Sequence, residues 1–304
     1  MSNDNKDHPV QAQLHDQMND TPEHDKGIQP LLSVENLKKY YPIRSGLASK
    51  AAGEVKAVDD VSFSIYPGET LGLVGESGSG KSTIGKTIVG LEQPTEGRIL
   101  FDGKDISKLS YKEMKGLRSE LQIVFQDPYS SLNPRKRIAD LLAEPLKVHR
   151  VVPVKDIPGE VDRLLELVGL PRNSRNRYPH EFSGGQRQRI GIARALSLKP
   201  RLIICDEPVS ALDVSIQAQI LNLLKDLQKE LNLTYLFIAH GLGAVKYVSD
   251  RIAVMHQGKI VEIGSKSEIF HEPKHPYTKA LLDASPIADP RLRNKKRLTL
   301  SQAD

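Results

Sequence analysis

One cysteine, Cys205, stands in this 304-residue chain, so no internal disulfide can form and no all-cysteine zinc or iron–sulfur site can be assembled within it. Long hydrophobic runs are also missing, since none approaches the roughly 18–20 apolar residues that cross a bilayer. The first thirty residues are polar and acidic and have nothing like a signal peptide's order of charge and hydrophobicity, which predicts a chain that stays in the cytoplasm. Residues 1–29 have few apolar side chains and no periodicity, so a disordered tail is expected there. His8, His15 and His24 fall in this tail without regular ligand spacing.

What is present is the composition of an ordinary soluble protein, with 38% hydrophobic and 27% charged residues. The length suits one large domain with an appendage, or two modest ones, and a well-buried core. The net charge of +5 is uneven. Two lysines face six acidic residues in 1–30, a balance of −4, while 289–304 carry five basic residues against two aspartates, a balance of +3. The remaining body, at +6, suits nucleotide phosphates, anionic lipid headgroups or nucleic acid, and equally a solvated basic surface; charge alone does not choose.

The stretch Gly75-Glu76-Ser77-Gly78-Ser79-Gly80-Lys81-Ser82 fits G-x-x-x-x-G-K-[ST], follows an apolar strand-like run at 70–74 and leads into a helix-like segment from Thr83. Glycines let successive backbone N–H groups turn inward around a polyphosphate, and the helix N-terminus adds its partial positive charge. Lys81 then reaches the β and γ phosphates, and the Ser82 hydroxyl ligates Mg²⁺. A plain Gly/Ser-rich turn has no need of a Lys-Ser pair between strand and helix.

Short β-like runs precede this loop, at 31–37 and at 55–65, with a small-residue and basic segment at 46–53 expected to form a hairpin loop between them. Tyr40 and Tyr41 sit at the end of the first run, where an aromatic either stacks on adenine or covers the sheet. Strands are predicted at 98–101 and 121–125, the latter closed by Gln126-Asp127-Pro128. Residues from about 128 to 182 change texture, with Ile138, Leu141, Leu142 and Leu146, then Val161, Leu164, Leu165 and Val168, at amphipathic-helix spacing. We read them as a helical subdomain inserted into an α/β core. Helices at 184–198 and 214–231, strands at 201–205 and 234–239, and a hairpin around Gln257-Gly258 complete a mainly parallel sheet covered on both faces.

Four further features narrow the chemistry. The apolar run 202–205 ends in Asp206-Glu207, and a parallel strand delivers such side chains to the ligand crevice. Asp206 can hold Mg²⁺ through its water shell while Glu207 polarises a water for attack on the γ-phosphate. Ser183-Gly184-Gly185-Gln186 opens a helix and makes a second anion site, far in sequence from the first. Gln126 and His240 each stand at a strand end, weak signals when taken singly. Cys205 itself reads as a small core residue.

Together these residues resemble the ATP-binding-cassette ATPases: phosphate loop, Gln126, Ser183-Gly184-Gly185-Gln186, Asp206-Glu207, Ser210-Ala211-Leu212-Asp213 and His240 reproduce that family's motif order across roughly residues 31–265. The resemblance implies an α/β P-loop NTPase core with an antiparallel β subdomain and an inserted helical subdomain, and a head-to-tail dimer. In it, ATP lies between one subunit's phosphate loop (Gly75 to Ser82, then Thr83) and the other's signature. It further implies that Gln126 senses Mg²⁺ and the attacking water, that Asp213 acts across the dimer, that His240 binds the γ-phosphate, and that Tyr41, aligning better than Tyr40, stacks on adenine.

Within that family, residues 127–134 and His275-Pro276-Tyr277-Thr278-Lys279-Ala280-Leu281-Leu282 are similar to the oligopeptide/dipeptide importer subgroup, whose ATPases carry a short His-Pro-Tyr extension. Residues 30–264 then make the ATPase domain and 265–304 the extension. The lack of a cysteine cluster there favours the F-type subunit, which pairs with a homologous D-type ATPase. The implied partners are that ATPase, two membrane permease subunits and, indirectly, an extracytoplasmic substrate-binding protein, with the chain peripheral at the cytoplasmic face of the membrane. Import of nickel or another small solute is the nearer alternative. A soluble ATPase acting on nucleic acid or ribosomes is the remote one, disfavoured because the single cassette lacks the coiled-coil or zinc insertions of such relatives. One departure is plain: Gly241 follows His240 where members commonly have Asp, removing a helix-capping carboxylate.

Overall fold

The computed structural model describes residues 27–45, 50–127 and 131–284. Most of the expected tail with its three histidines, the first half of the 46–53 segment, residues 128–130 and the basic stretch after 284 lie outside the described residues. The strands are β1 (Leu32–Ser45), β2 (Lys50–Ile65), β3 (Thr70–Val74), β4 (Glu96–Phe101), β5 (Lys104–Asp105), β6 (Leu121–Val124), β7 (Leu202–Asp206), β8 (Thr234–Ala239), β9 (Arg251–His256) and β10 (Lys259–Ser265). The helices are α1 (Lys81–Ile88), α2 (Tyr111–Leu117), α3 (Ile138–His149), α4 (Ile157–Leu167), α5 (Gly184–Leu196), α6 (Val214–Leu231), α7 (Leu242–Val248), α8 (Lys266–His271) and α9 (Pro276–Ala284).

Two sheets form. A six-stranded sheet has the order β10-β9-β3-β8-β7-β6, parallel except at the β9–β10 hairpin. A four-stranded antiparallel sheet has the order β2-β1-β4-β5. Strands β3, β7 and β8 are buried along their whole length, which is why they read as continuous apolar runs. Their alternate side chains still separate into two layers. Leu202, Ile204, Leu236 and Ile238 join Ile84 and Ile88 of α1 and the apolar face of the antiparallel sheet. Ile203, Cys205, Tyr235 and Phe237 join the helical layer, which includes Leu142, Leu164 and Ile190. The inserted helices thus share one apolar core with α5 and α6.

Boundaries differ from expectation where tertiary partners extend local pattern. β1 runs on to Ser45 because β2 continues to pair with it beyond Tyr41, through a register shift after Ile43, so both tyrosines lie within the strand and Gly53 lies inside β2. The hairpin connection is therefore shorter than 46–53. The helix after the phosphate loop starts at Lys81, with Gly80 as its N-cap in a left-handed conformation, φ 105°. Among the described residues no helix is long and apolar enough to cross a membrane.

Because Leu164 is fully buried in the helical layer, Leu164→Ala should cost about 2–5 kcal/mol through lost transfer energy and the residual cavity. Urea unfolding of the full chain measures this; a loss below about 1 kcal/mol would mean that the inserted helices do not pack on the common core.

Candidate active site

Parallel register decides which residues meet. Val74 of β3 pairs with Ala239 of β8, so the phosphate loop and His240 leave their strands at the same level. Val124 of β6 pairs with Cys205 of β7, so Gln126 and Glu207, each two positions further on, emerge side by side. The result is a crevice at the carboxyl ends of the sheet, where such sheets bind ligands. A cleft of about 240 Å³ opens there, lined by Ser77, Gly78, Gly80, Lys81, Ser82, Thr83, Gln126, Glu207 and His240, together with Ala57 of β2.

The loop requires its glycines. Gly75, Gly78 and Gly80 have φ of 156°, 80° and 105°, values that residues with a Cβ rarely adopt. A Cβ on Gly80 would stand 2.0 Å from the Ala57 carbonyl oxygen, and one on Gly75 would stand 2.0 Å from that of Met255. Gly80→Ala is therefore expected to weaken ATP binding by roughly tenfold or more, the equivalent of a backbone distortion of at least about 1.4 kcal/mol. Titration of the full chain with a fluorescent ATP analogue reads this, and unchanged affinity would show that the loop can be rebuilt without its glycine.

Lys81 is 3% exposed and donates to the carbonyls of Gly75 and Glu76, both at 2.7 Å. Burial pushes its pKa down, opposed by the nearby Glu207 and Asp206 carboxylates. Ser82 Oγ donates to Asp206 Oδ1 at 2.7 Å, placing a hydroxyl and a carboxylate oxygen together. Asp206 closes β7 and is buried, which raises its pKa against the opposing hydrogen bond from Ser82.

Glu207 occupies the left-handed region, φ 48°, at a cost of roughly 1 kcal/mol or more for a non-glycine residue. Its backbone N–H donates to the Ile238 carbonyl at 3.0 Å, fixing the turn off the sheet. One carboxylate oxygen, Oε2, accepts Gln126 Nε2 at 2.7 Å and lies 2.6 Å from His240 Nε2. Burial raises its pKa first, with His240 and Lys81 opposing, which makes it a stronger base than a solvated carboxylate.

Other candidates lie outside this cleft. Tyr41 does not line it, and its ring lies 4.9 Å from Lys39 Nζ. Tyr40 donates its hydroxyl to Asp59, which raises the phenol to about 12. Ser183 is the N-cap of α5, paired with Gln186 in a capping box: Ser183 N–H donates to Gln186 Oε1 at 3.0 Å, and Gln186 N–H to Ser183 Oγ at 3.4 Å. Both side chains are exposed, whereas Gly185 packs so closely that a Cβ would lie 2.3 Å from Ile216. Asp213, also exposed, is the N-cap of α6 without a side-chain capping bond. Gly241 is likewise an uncapped N-cap, for α7, and a Cβ there would meet open space. Ala57 escapes sequence reasoning because it has no chemical signal; only the crossing of β2 over the loop brings it to the cleft.

A glycine-rich loop between a buried parallel strand and a helix, facing a strand that ends in two carboxylates, defines a P-loop ATP-hydrolysing cassette. The chain belongs to the ABC transporter family, whose model matches residues 58–210. Residues 261–304 match the oligopeptide/dipeptide transporter C-terminal region. The oligopeptide transport ATP-binding protein AppF of Bacillus subtilis (strain 168) is 56% identical over 260 residues, covering 85% of this chain and 79% of AppF. OppF of Lactococcus lactis subsp. lactis (strain IL1403), an oligopeptide transport ATP-binding protein, is 51% identical over 278 residues, covering 90% and 87%. The glutathione import ATP-binding protein GsiA of Escherichia coli (strain K12) is 53% identical over 90% of this chain, which spans only 44% of GsiA. Among solved structures, the dimeric post-hydrolysis state of the ATP-binding cassette MJ0796 bound to ADP and Pi has a TM-score of 0.69 at 28% identity, covering 77% of this chain and 98% of that one. The cbiO1 protein of Clostridium perfringens, part of the ABC transporter complex cbiONQ, has a TM-score of 0.68 at 31% identity, covering 80% and 91%.

Proposed function

We propose that this chain hydrolyses ATP to drive import of oligopeptides or dipeptides through separate membrane subunits. The observation that carries the hydrolytic reading is the convergence of Gln126 and His240 on one oxygen of the buried Glu207, across the cleft from Lys81 and Ser82. In this reading Glu207 takes a proton from the attacking water, Gln126 orients that water, and His240 and Lys81 bind the γ-phosphate. Loop residues Gly75, Glu76, Ser77, Gly78, Ser79, Gly80 and Thr83 complete the phosphate cradle.

A magnesium ion fits the hard oxygen pair formed by Ser82 Oγ and Asp206 Oδ1, 2.7 Å apart. Ser82 would hold it directly and Asp206 through water, with Gln126 as a further ligand. The ion would supply charge neutralisation on the β and γ phosphates. Tyr41, on β1 beyond its last pairing with β4 at Lys38, takes the adenine in this reading.

The exposure of Ser183 and Gln186, away from this chain's own cleft, supports a site completed by a second ATPase. That partner's ATP meets Ser183, Gly184, Gly185 and Gln186, and Asp213 carries the signal across the dimer. The further assembly in this reading is a homologous D-type ATPase, two permease subunits at the cytoplasmic face of the membrane, and a substrate-binding protein outside. The match of 261–304 to the oligopeptide/dipeptide C-terminal region supports peptides over nickel or another small solute. Uptake of labelled peptides and of metal ions, compared in a strain lacking this chain and in one with it restored, tests this. Restored metal uptake without peptide uptake would overturn the substrate, and recovery of the chain only in soluble complexes with nucleic acid would overturn the transporter role.

A further inference from the structure

The His275-Pro276-Tyr277 element marks a subgroup in the sequence but takes no part in the reaction outlined above. In the structure it touches the phosphate loop. The Glu76 backbone N–H, one residue into the loop, donates to the Tyr277 hydroxyl at 3.1 Å, across 201 positions of sequence. The Tyr277 ring packs on His256, at the end of β9, with centroids 3.9 Å apart and planes tilted by 31°. The same strand end holds the loop from its other side: the Gly258 N–H donates to the Ser79 carbonyl at 3.0 Å, and the Met255 carbonyl abuts Gly75.

Tyr277 is itself held by a chain of hydrogen bonds. The Glu262 carboxylate of β10 accepts the backbone N–H groups of Lys274 at 2.8 Å and His275 at 3.0 Å. His275 Nδ1 in turn accepts the Tyr277 N–H at 3.1 Å, so the imidazole caps the start of α9, and Pro276 enters that helix with no N–H to satisfy. The three side chains of the element thus act in sequence, with His275 capping the helix, Pro276 starting it and Tyr277 reaching the loop.

We infer that the His-Pro-Tyr element is a strap that sets the conformation of the phosphate loop, with Tyr277 as a positioning residue for ATP binding. The inference rests on the reading of residues 75–82 as the ATP site. Glu76 leads into the segment whose N–H groups face the phosphates. Fixing its peptide lowers the number of loop conformations that must be excluded when ATP binds. The effect falls on affinity, because the strap touches neither the base nor the cleft wall around Glu207.

Tyr277→Phe keeps the ring on His256 and removes the hydroxyl. In the full chain it is expected to raise both the Kd for a fluorescent ATP analogue and the KM for ATP by about two- to tenfold, the range of one hydrogen bond, with kcat within twofold and Tm unchanged. Tyr277→Ala, which also loses the ring contact, should weaken binding further. Wild-type Kd and KM in Tyr277→Phe, or a defect confined to kcat or to Tm, would overturn the strap. Lys81→Ala, measured alongside, separates the two readings. If Lys81→Ala abolishes binding while Tyr277→Phe is silent, only the strap falls; if Lys81→Ala binds ATP normally, the ATP site and the strap fall together.

Discussion

Glu207→Gln is expected to lower the rate of ATP hydrolysis by about 10²- to 10⁴-fold, the range for loss of a general base, while leaving ATP bound. The substitution keeps the side chain's length and shape and removes its charge and proton affinity. The surrounding geometry explains why little else can substitute. Gln126 is an amide and cannot accept the water's proton. His240 shares its imidazole with Glu207 at 2.6 Å and, in the proposed role, is committed to the γ-phosphate. Asp206 accepts Ser82 Oγ at 2.7 Å and faces the loop.

Binding should persist because Lys81, Ser82 and the loop N–H groups remain. It should even tighten under turnover conditions, since the amide removes a negative charge from a cleft that must take a polyanion. The measurement is paired: phosphate release in steady state, and retention of labelled ATP after rapid gel filtration. Hydrolysis at the wild-type rate would show that Glu207 is not the base. Loss of binding together with hydrolysis would assign it a structural role, in keeping with its left-handed backbone.

Much of this site is legible in the sequence, and unevenly so. The phosphate loop carries its own signature, and the acid-terminated strand β7 announces itself by five buried positions before Glu207. Strand β8 and helix α6 fall on the predicted residues, because full burial and an amphipathic face leave strong local patterns. What the sequence leaves open is pairing. That Gln126 meets Glu207 depends on the β6–β7 register, which no local pattern encodes. Strand β1 outruns its own alternation because β2 holds its outer half. Helix α2 is absent from the sequence reading although Ser110 and Glu113 form a capping box at its start. Its Ser-x-x-Glu spacing is readable, but its seven residues are too few for periodicity to emerge. The Tyr277 contact with Glu76 lies furthest from view, since it joins two motifs that each look self-sufficient.

In the head-to-tail pairing proposed above, Lys81→Ala should remove ATP from the site built on this chain's loop, whereas Ser183→Arg should disable the site built on the partner ATPase's loop. The two residues stand on one chain, yet Lys81 lines the cleft and Ser183 does not. Lys81 is the buried cation at the start of α1; without it the triphosphate loses a counter-charge, and affinity should fall tenfold for each ~1.4 kcal/mol lost. Ser183 is an exposed N-cap whose hydroxyl accepts the Gln186 N–H. Replacing it with arginine removes that cap, worth about 0.5–2 kcal/mol, and sets a long side chain across the helix N-terminus that would face the partner's nucleotide. Photo-crosslinking with an azido-ATP, resolved by subunit, distinguishes the effects. Label should vanish from this chain in Lys81→Ala and persist on the partner. In Ser183→Arg, label trapped on the partner should fall by roughly tenfold while this chain still binds, the reverse pattern. If both substitutions emptied this chain's site and spared the partner's, each ATP would be enclosed by a single subunit, and head-to-tail pairing would have to be abandoned.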